Sequence, residues 1–540
     1  MRLPERLEPN AANGVPLTPL LLLERSLTAC PGRPAMIWRD RVWTYQEFGH
    51  LVRRMAGFLE EQGIGKGDTV SIIAQNRPEL LLAHFAVPML GAVLNTINTR
   101  LDAETVSYIL DHCSAQLVLS DAASLQLAEA SAGEGLRVCG IGPEAGAESG
   151  LFLDVFDGGQ PETEIGLTER IGSEWQPISI NYTSGTTGRP KGVIYQHRGA
   201  YLNALNNIMS IGLGRSSVNL WTLPMFHCNG WSQTWAVIAA GGCNVCLEGV
   251  DPAQIMDALT RHGVTHMSCA PVVLYMLLDH ADRSGGYTPT GRVTVTTGGA
   301  APTAALIERM DAMGFELLHL YGLTESYGPV SGMFGGPDIN ERPASERAAF
   351  FARQGHSLPT GARIDVRGPD GATVHANGQE LGEIVISGPT LMGGYHDDAV
   401  ATDTAFSGGV FHTGDLAVVH EDGAMEIKDR AKDIIISGGE NISSLEVESV
   451  LHRHPGVLMA AVVAAPHPKW GETPWAFVEI STGGSEAPSE EDLMEFCREH
   501  LAGFKVPRRI VFQDLPKTAT GKIQKFALRH EVEQLQAETA

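Results

Sequence analysis

Segments with helical periodicity alternate with short apolar segments along most of this 540-residue chain. Helical patterns cover residues 44–61 and 252–262. The apolar, strand-like segments include residues 69–73, 116–119, 264–269 and 293–297. Strands that alternate with helices form parallel sheets covered on both faces. The pattern therefore predicts an α/β protein whose large N-terminal domain contains sheets sandwiched between helices.

The pattern changes after about Gly378. Short strand-like segments at 383–386, 410–412 and 425–427 are separated by Gly and Asp turns, which predicts a β-rich subdomain over about 340–431. A boundary follows near residue 432. Beyond it, Ser443 and Glu446 predict a capping box that begins a helix. A strand over 457–464, a helix capped by Ser489 and a strand over 510–512 complete the pattern. We expect a large domain over 1–431 and a small, mobile α+β domain over 432–540.

Charge and cysteine content exclude several classes of protein. The net charge of -24 disfavours a general nucleic-acid or anionic-membrane surface. One local exception is a basic tail, defined as Lys505, Arg508, Arg509, Lys517, Lys522, Lys525 and Arg529. Eight cysteines are too few for a disulfide scaffold, and Cys243 and Cys246 read as buried strand residues. We find no membrane span, secretory leader or peroxisomal signal, so we expect a cytoplasmic protein.

The segment 182–192, Tyr-Thr-Ser-Gly-Thr-Thr-Gly-Arg-Pro-Lys-Gly, lies between two strand-like segments, 178–180 and 193–195. Its glycines allow a tight backbone whose amide groups converge on an anion, and four hydroxyls and a lysine add further donors. The segment is not a Walker A loop, because the G-x-x-x-x-G-K-[ST] spacing is absent and no helix follows directly. We interpret it as a phosphate-binding loop.

Together with this loop, six further motifs resemble the adenylate-forming superfamily of acyl-CoA synthetases, luciferases and peptide-synthetase adenylation domains. They occur in the order of that superfamily, and the resemblance spans nearly the whole chain. The motifs are Pro-Met-Phe-His at 224–227, Gly-Gly-Ala-Ala-Pro at 298–302, Tyr-Gly-Leu-Thr-Glu at 321–325, Thr-Gly-Asp at 413–415, Asp-Arg-Ala-Lys-Asp at 429–433 and Lys-Thr-Ala-Thr-Gly-Lys at 517–522.

The resemblance implies a set of ATP-binding residues within residues 1–431, the adenylation domain. Those that would hold the β- and γ-phosphates are Thr183, Ser184, Gly185, Thr186, Thr187, Gly188 and Lys191. Those that would form the adenine slot are Gly299, Ala300, Ala301, Tyr321 and Gly322. Thr324 would bond the α-phosphate and Glu325 would bind Mg²⁺, a hard cation suited to carboxylate oxygen. Asp415 would accept the ribose hydroxyls with the help of Arg430.

The resemblance also implies a reaction in two halves. A carboxylate attacks the α-phosphorus of MgATP to give acyl-AMP and pyrophosphate, and the CoA thiol then displaces AMP. Lys522 would stabilise the negative charge of the first half. The C-terminal domain would rotate about Lys432 for the second, which would bring Gly438 and Gly439 to the pantetheine route. Trp470 and the basic tail would meet the CoA nucleotide.

The acyl pocket is the least determined part of the site. Relatives that activate amino acids usually have an Asp just after the Phe of this motif, which pairs with the substrate ammonium. Here no acidic residue follows the Phe-His motif before Glu248, so amino acids are disfavoured as substrates. The resemblance places His227 as a gate, with Gly298 beside it. Trp231 and Trp235, four positions apart, would share a helix face and form a bulky floor that favours short or medium chains.

The run from Phe226 to Trp231 resembles a subgroup that contains short- and medium-chain fatty acid ligases and the 3-methylmercaptopropionate ligase of dimethylsulfoniopropionate demethylation. We expect 3-methylmercaptopropionate as the substrate, with a general butanoate-to-octanoate ligase as the alternative, since sulfur and methylene are alike in size and polarity. A carrier-protein-dependent adenylation enzyme and a non-catalytic acyl or nucleotide sensor remain open. We expect a homodimer.

Overall fold

The computed structural model describes residues 10, 12–146, 150–183, 189–287, 291–298, 304–335, 337–351, 353–480, 487–517 and 523–539. The chain forms two compact units. The first unit contains residues 1–352, 357–363 and 387–406, and the second contains residues 353–356, 364–386 and 407–540. The boundary predicted at residue 432 is the hinge about which the C-terminal domain would rotate, and it stays a prediction.

One sheet of the first unit is mostly parallel and is extended at both ends by antiparallel strands. Its strands lie in the order Gly328–Gly332, Phe315–Leu323, Val293–Thr297, His266–Cys269, Val218–Leu220, Cys243–Cys246, Pro34–Trp38 and Arg41–Thr44. The short strand His356–Ser357 lies where the chain passes between the two units. The predicted strands over 264–269 and 293–297 are confirmed, and Cys243 and Cys246 are buried as expected.

The second sheet of the first unit carries the strands on either side of the phosphate-binding segment. Its strands lie in the order Gly394–Tyr395, Lys191–Gln196, Pro177–Thr183, Val93–Ile97, Thr69–Ile73, Ala115–Ser120, Arg137–Ile141 and Leu151–Leu153. From Pro177–Thr183 to Leu151–Leu153 in this order, neighbouring strands pair in parallel. Gly394–Tyr395, Lys191–Gln196 and Pro177–Thr183 pair antiparallel. The phosphate-binding segment therefore lies between two strands, as the sequence predicts, and the structure shows that these strands are antiparallel neighbours.

Helices of the first unit alternate with the strands. They are Pro19–Ala29, Tyr45–Glu61, Pro78–Met89, Ala103–His112, Leu125–Ser131, His197–Ile211, Gln233–Ala240, Pro252–Arg261, Pro271–Arg283, Ala304–Ala312, Pro337–Asn340, Ala344–Phe351 and Ala399–Ala405. Thr44 caps the predicted helix over 44–61 in a capping box with Glu47. Every residue of helix Pro78–Met89 is buried, which makes it a central element of the core.

The second unit contains two further sheets. One is antiparallel, with strands in the order Arg363–Arg367, Gly382–Ser387, Phe411–Val419 and Met425–Arg430. The other contains Glu440–Ile442, Ile435–Ser437, Gly471–Ile480, Val457–His467 and Arg509–Phe512. Helices Ser444–Leu451, Glu490–His500 and Lys525–Thr539 complete the unit. The short strands predicted after Gly378 and the α+β pattern after residue 432 are confirmed.

The five-stranded sheet is covered on both faces. Helices Ser444–Leu451 and Glu490–His500 pack on one apolar cluster, and Leu528 and Val532 of the last helix pack on the other. Ser443 caps its helix by accepting a hydrogen bond from the Glu446 amide at 3.1 Å. The predicted capping box is only half formed, because the Glu446 carboxylate accepts hydrogen bonds from Lys505 instead. Among the described residues, no helix is long and apolar enough to cross a membrane.

Candidate active site

The phosphate-binding segment is closed at its base by strand pairing. Thr183 ends one strand, Lys191 begins the next, and the two residues are direct partners across the antiparallel pair. Five predicted phosphate-binding residues lie outside the described residues: Ser184, Gly185, Thr186, Thr187 and Gly188.

Lys191 contacts Tyr395, and Tyr395 in turn is hydrogen-bonded to Glu325, the predicted magnesium ligand. Lys191 Nζ lies 4.9 Å from the centre of the Tyr395 ring and 3.8 Å from Asp398 Oδ2. The Tyr395 hydroxyl donates a hydrogen bond to Glu325 Oε1 at 2.9 Å. Burial and the Glu325 carboxylate raise the pKa of Tyr395, so the hydroxyl keeps its proton and acts as the donor. Lys191 and Glu325 thus both contact Tyr395, Lys191 over its ring and Glu325 at its hydroxyl.

Thr324 is held from two sides. It lies in the 3₁₀ turn Thr324–Ser326 that follows strand Phe315–Leu323. The Tyr195 hydroxyl donates to the Thr324 carbonyl at 2.7 Å, and the Cys228 Sγ lies 3.3 Å from Thr324 Oγ1. Burial raises the pKa of the Cys228 thiol to about 12, so it contacts Thr324 as a neutral thiol. The structure therefore places three predicted ATP contacts, Lys191, Thr324 and Glu325, in one region of the first unit.

The carboxylate of Glu325 fits a magnesium ion that is shared with phosphate oxygens. Among the described residues, no group of three or more His, Cys, Asp or Glu side chains is placed to hold a metal by itself. Mg²⁺ is commonly bound through one or two carboxylates and the phosphates of its substrate. With Tyr395 bonded to one oxygen, Glu325 is oriented and retains acceptor capacity for such an ion.

The predicted adenine side depends on close backbone packing. Tyr321 and Gly322 lie in strand Phe315–Leu323, which forms a hairpin with strand Gly328–Gly332. A Cβ on Gly322 would lie 1.9 Å from the Gly328 carbonyl oxygen, so only glycine fits there. Packing within the hairpin therefore accounts for Gly322. Gly299, Ala300 and Ala301 lie outside the described residues.

The expectation that Trp231 and Trp235 share one helix face is wrong. Residues 228–232 have φ angles between 46° and 62° and form a left-handed turn, and the right-handed helix begins only at Gln233. Trp235 is buried, and its indole N–H donates to the His84 carbonyl at 3.2 Å. Trp231 is half-buried and lies against Gly298, where a Cβ would approach its Cη2 to 3.4 Å. His227, also half-buried, precedes this turn.

In the second unit, the predicted ribose-binding pair is present. Asp415 and Arg430 are direct partners across an antiparallel strand pair, and Arg430 Nε lies 3.2 Å from Asp415 Oδ1. The Asp415 side chain is 5% exposed, whereas that of Arg430 is 33% exposed. The Asp415 carboxylate offers acceptor oxygens, and the Arg430 contact orients it.

Trp470 lies at a cavity within the second unit. The cavity has a volume of about 380 Å³, and its lining includes His467, Trp470, Trp475, Arg508 and Arg509. The Arg509 guanidinium lies over the Trp475 ring at 4.9 Å. Aromatic faces next to guanidinium groups suit a base with attached phosphates.

Gly438 supports this tryptophan. Its amide donates to the Trp470 carbonyl at 2.8 Å, and a Cβ on it would lie 2.9 Å from Trp470 Cε3. Gly439 has a φ of 90° and nothing within 4 Å of a Cβ. Lys432 is exposed, whereas Lys522 lies outside the described residues.

The basic tail does not form one continuous patch. Lys505, Lys517 and Lys525 each lie 2.7 Å from a carboxylate oxygen, of Glu446, Glu479 and Glu448 respectively. Arg529 pairs with Asp433. Lys505, Lys517, Lys525 and Arg529 therefore have carboxylate partners within the second unit, and the expectation that the basic tail meets the CoA nucleotide stays a prediction. Arg508 and Arg509 are the tail residues that line the cavity.

Sequence reasoning missed several residues that hold the site. Tyr195, Tyr395 and Cys228 contact the predicted ATP-binding residues, but the sequence assigned none of these three side chains a role. Tyr395 is 70 positions from Glu325 and Cys228 is 96 positions from Thr324. Only the folded arrangement reveals these contacts.

Comparison with known families and proteins gives matches over most of the chain. The profile of the family described as AMP-binding enzyme matches residues 23–396, and that of the AMP-binding enzyme C-terminal domain matches residues 446–522. The chain is 43% identical to the butyrate–CoA ligase AAE11, peroxisomal, of Arabidopsis thaliana, over 96% of this chain and 93% of that protein. It is 42% identical to the 2-methylpropanoate–CoA ligase CCL4 of Humulus lupulus, over 97% of both chains.

The fold is also found in solved structures. The anthranilate CoA ligase AuaEII in complex with anthranoyl-AMP is similar with a TM-score of 0.83, at 25% identity, over 98% of this chain and 99% of that one. The predicted architecture, a large α/β domain followed by a smaller α+β domain, is thereby confirmed.

Proposed function

Because the chain belongs to the family of AMP-binding enzymes, we propose that it joins a short- or medium-chain carboxylic acid to CoA, with 3-methylmercaptopropionate as its substrate. The activity of the chain is that of an AMP-forming acyl-CoA synthetase, and its reactants and cofactor are ATP, CoA and Mg²⁺. The observation that carries the proposal is the convergence of Lys191, Thr324 and Glu325 around Tyr395, Tyr195 and Cys228.

This arrangement suits the first half of the reaction. Lys191 supplies positive charge at the end of the phosphate-binding segment, and the Thr324 hydroxyl is available to a phosphate oxygen. Mg²⁺ held by Glu325 would neutralise phosphate charge. Positioned charges of this kind stabilise the transition state without reorganising during the reaction. Lys522, the predicted partner of the α-phosphate, remains part of the proposal through resemblance.

The second half is supported by the cavity at Trp470. A CoA nucleotide offers an aromatic base and several phosphates, and the cavity offers Trp470, Trp475, Arg508 and Arg509. Gly438 and Gly439 leave the strand connection before Glu440 without side chains. We place the pantetheine arm beside these glycines.

The choice of acid rests on the half-buried Trp231. A tryptophan against Gly298 limits the length of the pocket, as a short acid requires. The relatives named as butyrate and 2-methylpropanoate ligases support the same size range. A methylthio group is close to an ethyl group in size, so 3-methylmercaptopropionate is close to pentanoate and fits the range, and general butanoate-to-octanoate ligation is the alternative.

The test is a panel of carboxylic acids with ATP, Mg²⁺ and CoA, scored by AMP release and by the acyl-CoA formed. We expect the highest kcat/KM with 3-methylmercaptopropionate or butanoate. A higher value with octanoate would refute 3-methylmercaptopropionate as the substrate and favour the general butanoate-to-octanoate ligase. Pyrophosphate release without any acid dependence would refute the ligase, and transfer to a carrier protein but not to CoA would identify the carrier-dependent alternative.

The compartment and the subunit state are separate proposals. We propose a cytoplasmic homodimer. The relative AAE11 is described as peroxisomal, so its compartment differs from the one we predict for this chain. Light scattering on the purified protein measures the mass of the particle, and a value near 57.8 kDa would exclude the dimer.

A further inference from the structure

Residues 228–232 form a left-handed turn, an unusual backbone feature for a run of mostly non-glycine residues. All five residues have positive φ, and only Gly230 is a glycine. Non-glycine residues in this region each cost on the order of 1 kcal/mol, and a run of them persists only where the surroundings hold it. The turn lies between His227 and the helix that begins at Gln233.

One buried side chain makes most of the contacts at its centre. Asn229 is fully buried, with φ 46° and ψ 48°. Its Oδ1 accepts hydrogen bonds from Ser179 Oγ and from Asn181 Nδ2, both at 2.7 Å. Its Nδ2 lies 3.0 Å from His84 Nε2. Both ends of the amide are therefore occupied.

The contact with His84 defines which way the amide points. His84 Nδ1 lies 2.7 Å from the Leu80 carbonyl oxygen, so Nδ1 carries the proton and donates. Nε2 is then an acceptor, and it can only receive a hydrogen bond from the Asn229 NH₂ group. The side chain has one orientation that satisfies all its partners.

These partners join the two sides of the candidate active site. Ser179 and Asn181 alternate along strand Pro177–Thr183, and Thr183 is the next residue on the same face. On the other side, the turn carries Cys228, which contacts Thr324, and Trp231, which lies against Gly298. Asn229 thus fastens the turn to the strand that leads into the phosphate-binding segment.

We propose that Asn229 is a positioning residue for the ligase reaction, and that its buried amide fixes the acyl-side wall relative to the phosphate side. The inference rests on the proposed function, because it concerns the choice of acid. Without the amide, the turn loses its attachment to Ser179, Asn181 and His84. The backbone of Trp231 keeps its contacts with Asn207 and Gly328, but the turn loses the support of the Asn229 amide. The indole is then held less firmly against Gly298, and longer acids gain room.

The principal variant is Asn229→Gly, since glycine adopts the left-handed conformation without strain and removes only the side chain. The matched control is Asn95→Ala. Asn95 is equally buried, and its amide donates to Ser71 Oγ at 2.9 Å. The measurements are kcat/KM for butanoate, 3-methylmercaptopropionate, hexanoate and octanoate, together with the thermal midpoint of each protein.

We expect both variants to unfold at lower temperature. The ratio of kcat/KM for octanoate to that for butanoate should rise about tenfold in Asn229→Gly and stay within about twofold in Asn95→Ala. An unchanged ratio in Asn229→Gly, with an active wild type, would overturn the inference alone. A wild type that activates no acid would overturn the proposed function.

A second variant covers the case in which Asn229→Gly does not fold. Ser179→Ala removes one of the two donors to Asn229 Oδ1 and leaves Asn181 in place. The same ratio should rise by a smaller factor, and the KM for ATP should also rise because Ser179 belongs to the phosphate-side strand. A loss of thermal stability without either kinetic change would show that the amide serves only to stabilise the fold.

Discussion

Trp231→Ala should lengthen the acids that the enzyme accepts. The indole is half-buried and lies against Gly298, so its removal opens space at the acyl side. The backbone should not close this space. A Cβ on Gly328 would lie 3.0 Å from Trp231 Cα, and Asn207 Nδ2 donates to the Trp231 carbonyl at 3.0 Å. The turn therefore stays in place when the ring is removed.

The size of the effect follows from the methylenes that the space admits. Each buried methylene contributes about 0.8 kcal/mol, or roughly a fourfold gain in binding. Space for three methylenes therefore favours octanoate over its wild-type level by up to about 60-fold, while butanoate loses contacts. The assay is kcat/KM across acids of four to ten carbons, measured by AMP release.

Trp235→Phe is the matched control, because Trp235 is buried with its indole N–H bonded to the His84 carbonyl. Losing that hydrogen bond and part of the ring should lower the free energy of unfolding by about 1–3 kcal/mol without changing the length profile. An unchanged profile in Trp231→Ala, or an equal shift in Trp235→Phe, would refute the assignment of Trp231 to the pocket.

Four other perturbations test separate parts of the enzyme. Tyr395→Phe frees the Glu325 carboxylate and should raise the Mg²⁺ concentration needed for half-maximal activity; an unchanged Mg²⁺ titration would contradict this. Lys522→Ala should slow acyl-AMP formation by about 100- to 1,000-fold but spare thioester formation from supplied acyl-AMP, as single-turnover assays of the two halves can show. Gly439→Leu should do the reverse, so acyl-AMP accumulates in a quenched-flow experiment. Burial lowers the pKa of His84 from 6.5 to about 4, so from pH 6.5 down to 4 the unfolded state binds the proton first. The free energy of unfolding from urea titrations should then fall by up to about 1.4 kcal/mol per pH unit, and His84→Gln should reduce this slope.

The sequence predicts the parts of the fold that depend on local pattern. The strands around the phosphate-binding segment, the capped helix after Thr44 and the helix after Ser489 are all found where alternation and capping residues place them. The family resemblance likewise implies Asp415 and Arg430, which meet across one strand pair. Each of these features depends on residues that are close to it in the sequence or that lie in the same hairpin.

The sequence does not predict side-chain partners that lie far apart in the chain. The basic tail illustrates this, because Lys505, Lys517 and Lys525 count as free charges until the fold brings a glutamate to each. A charge run shows that positive groups exist, whereas neutralisation depends on tertiary contacts. The same reason explains why Tyr395 was overlooked as the support of Glu325.

The turn at residues 228–232 fails local prediction for a different reason. Its sequence, Cys-Asn-Gly-Trp-Ser, has one glycine, so backbone preference favours a right-handed helix through Trp231 and Trp235. Hydrogen bonds to Asn229 from residues 48 to 145 positions away decide the outcome instead. It follows that residues 227–235, grafted alone into another protein, would not form the same pocket wall. Without Ser179, Asn181 and His84, the buried Asn229 amide would be left unpaired at a cost of about 1–3 kcal/mol, and the turn would revert to the conformation that its residues prefer.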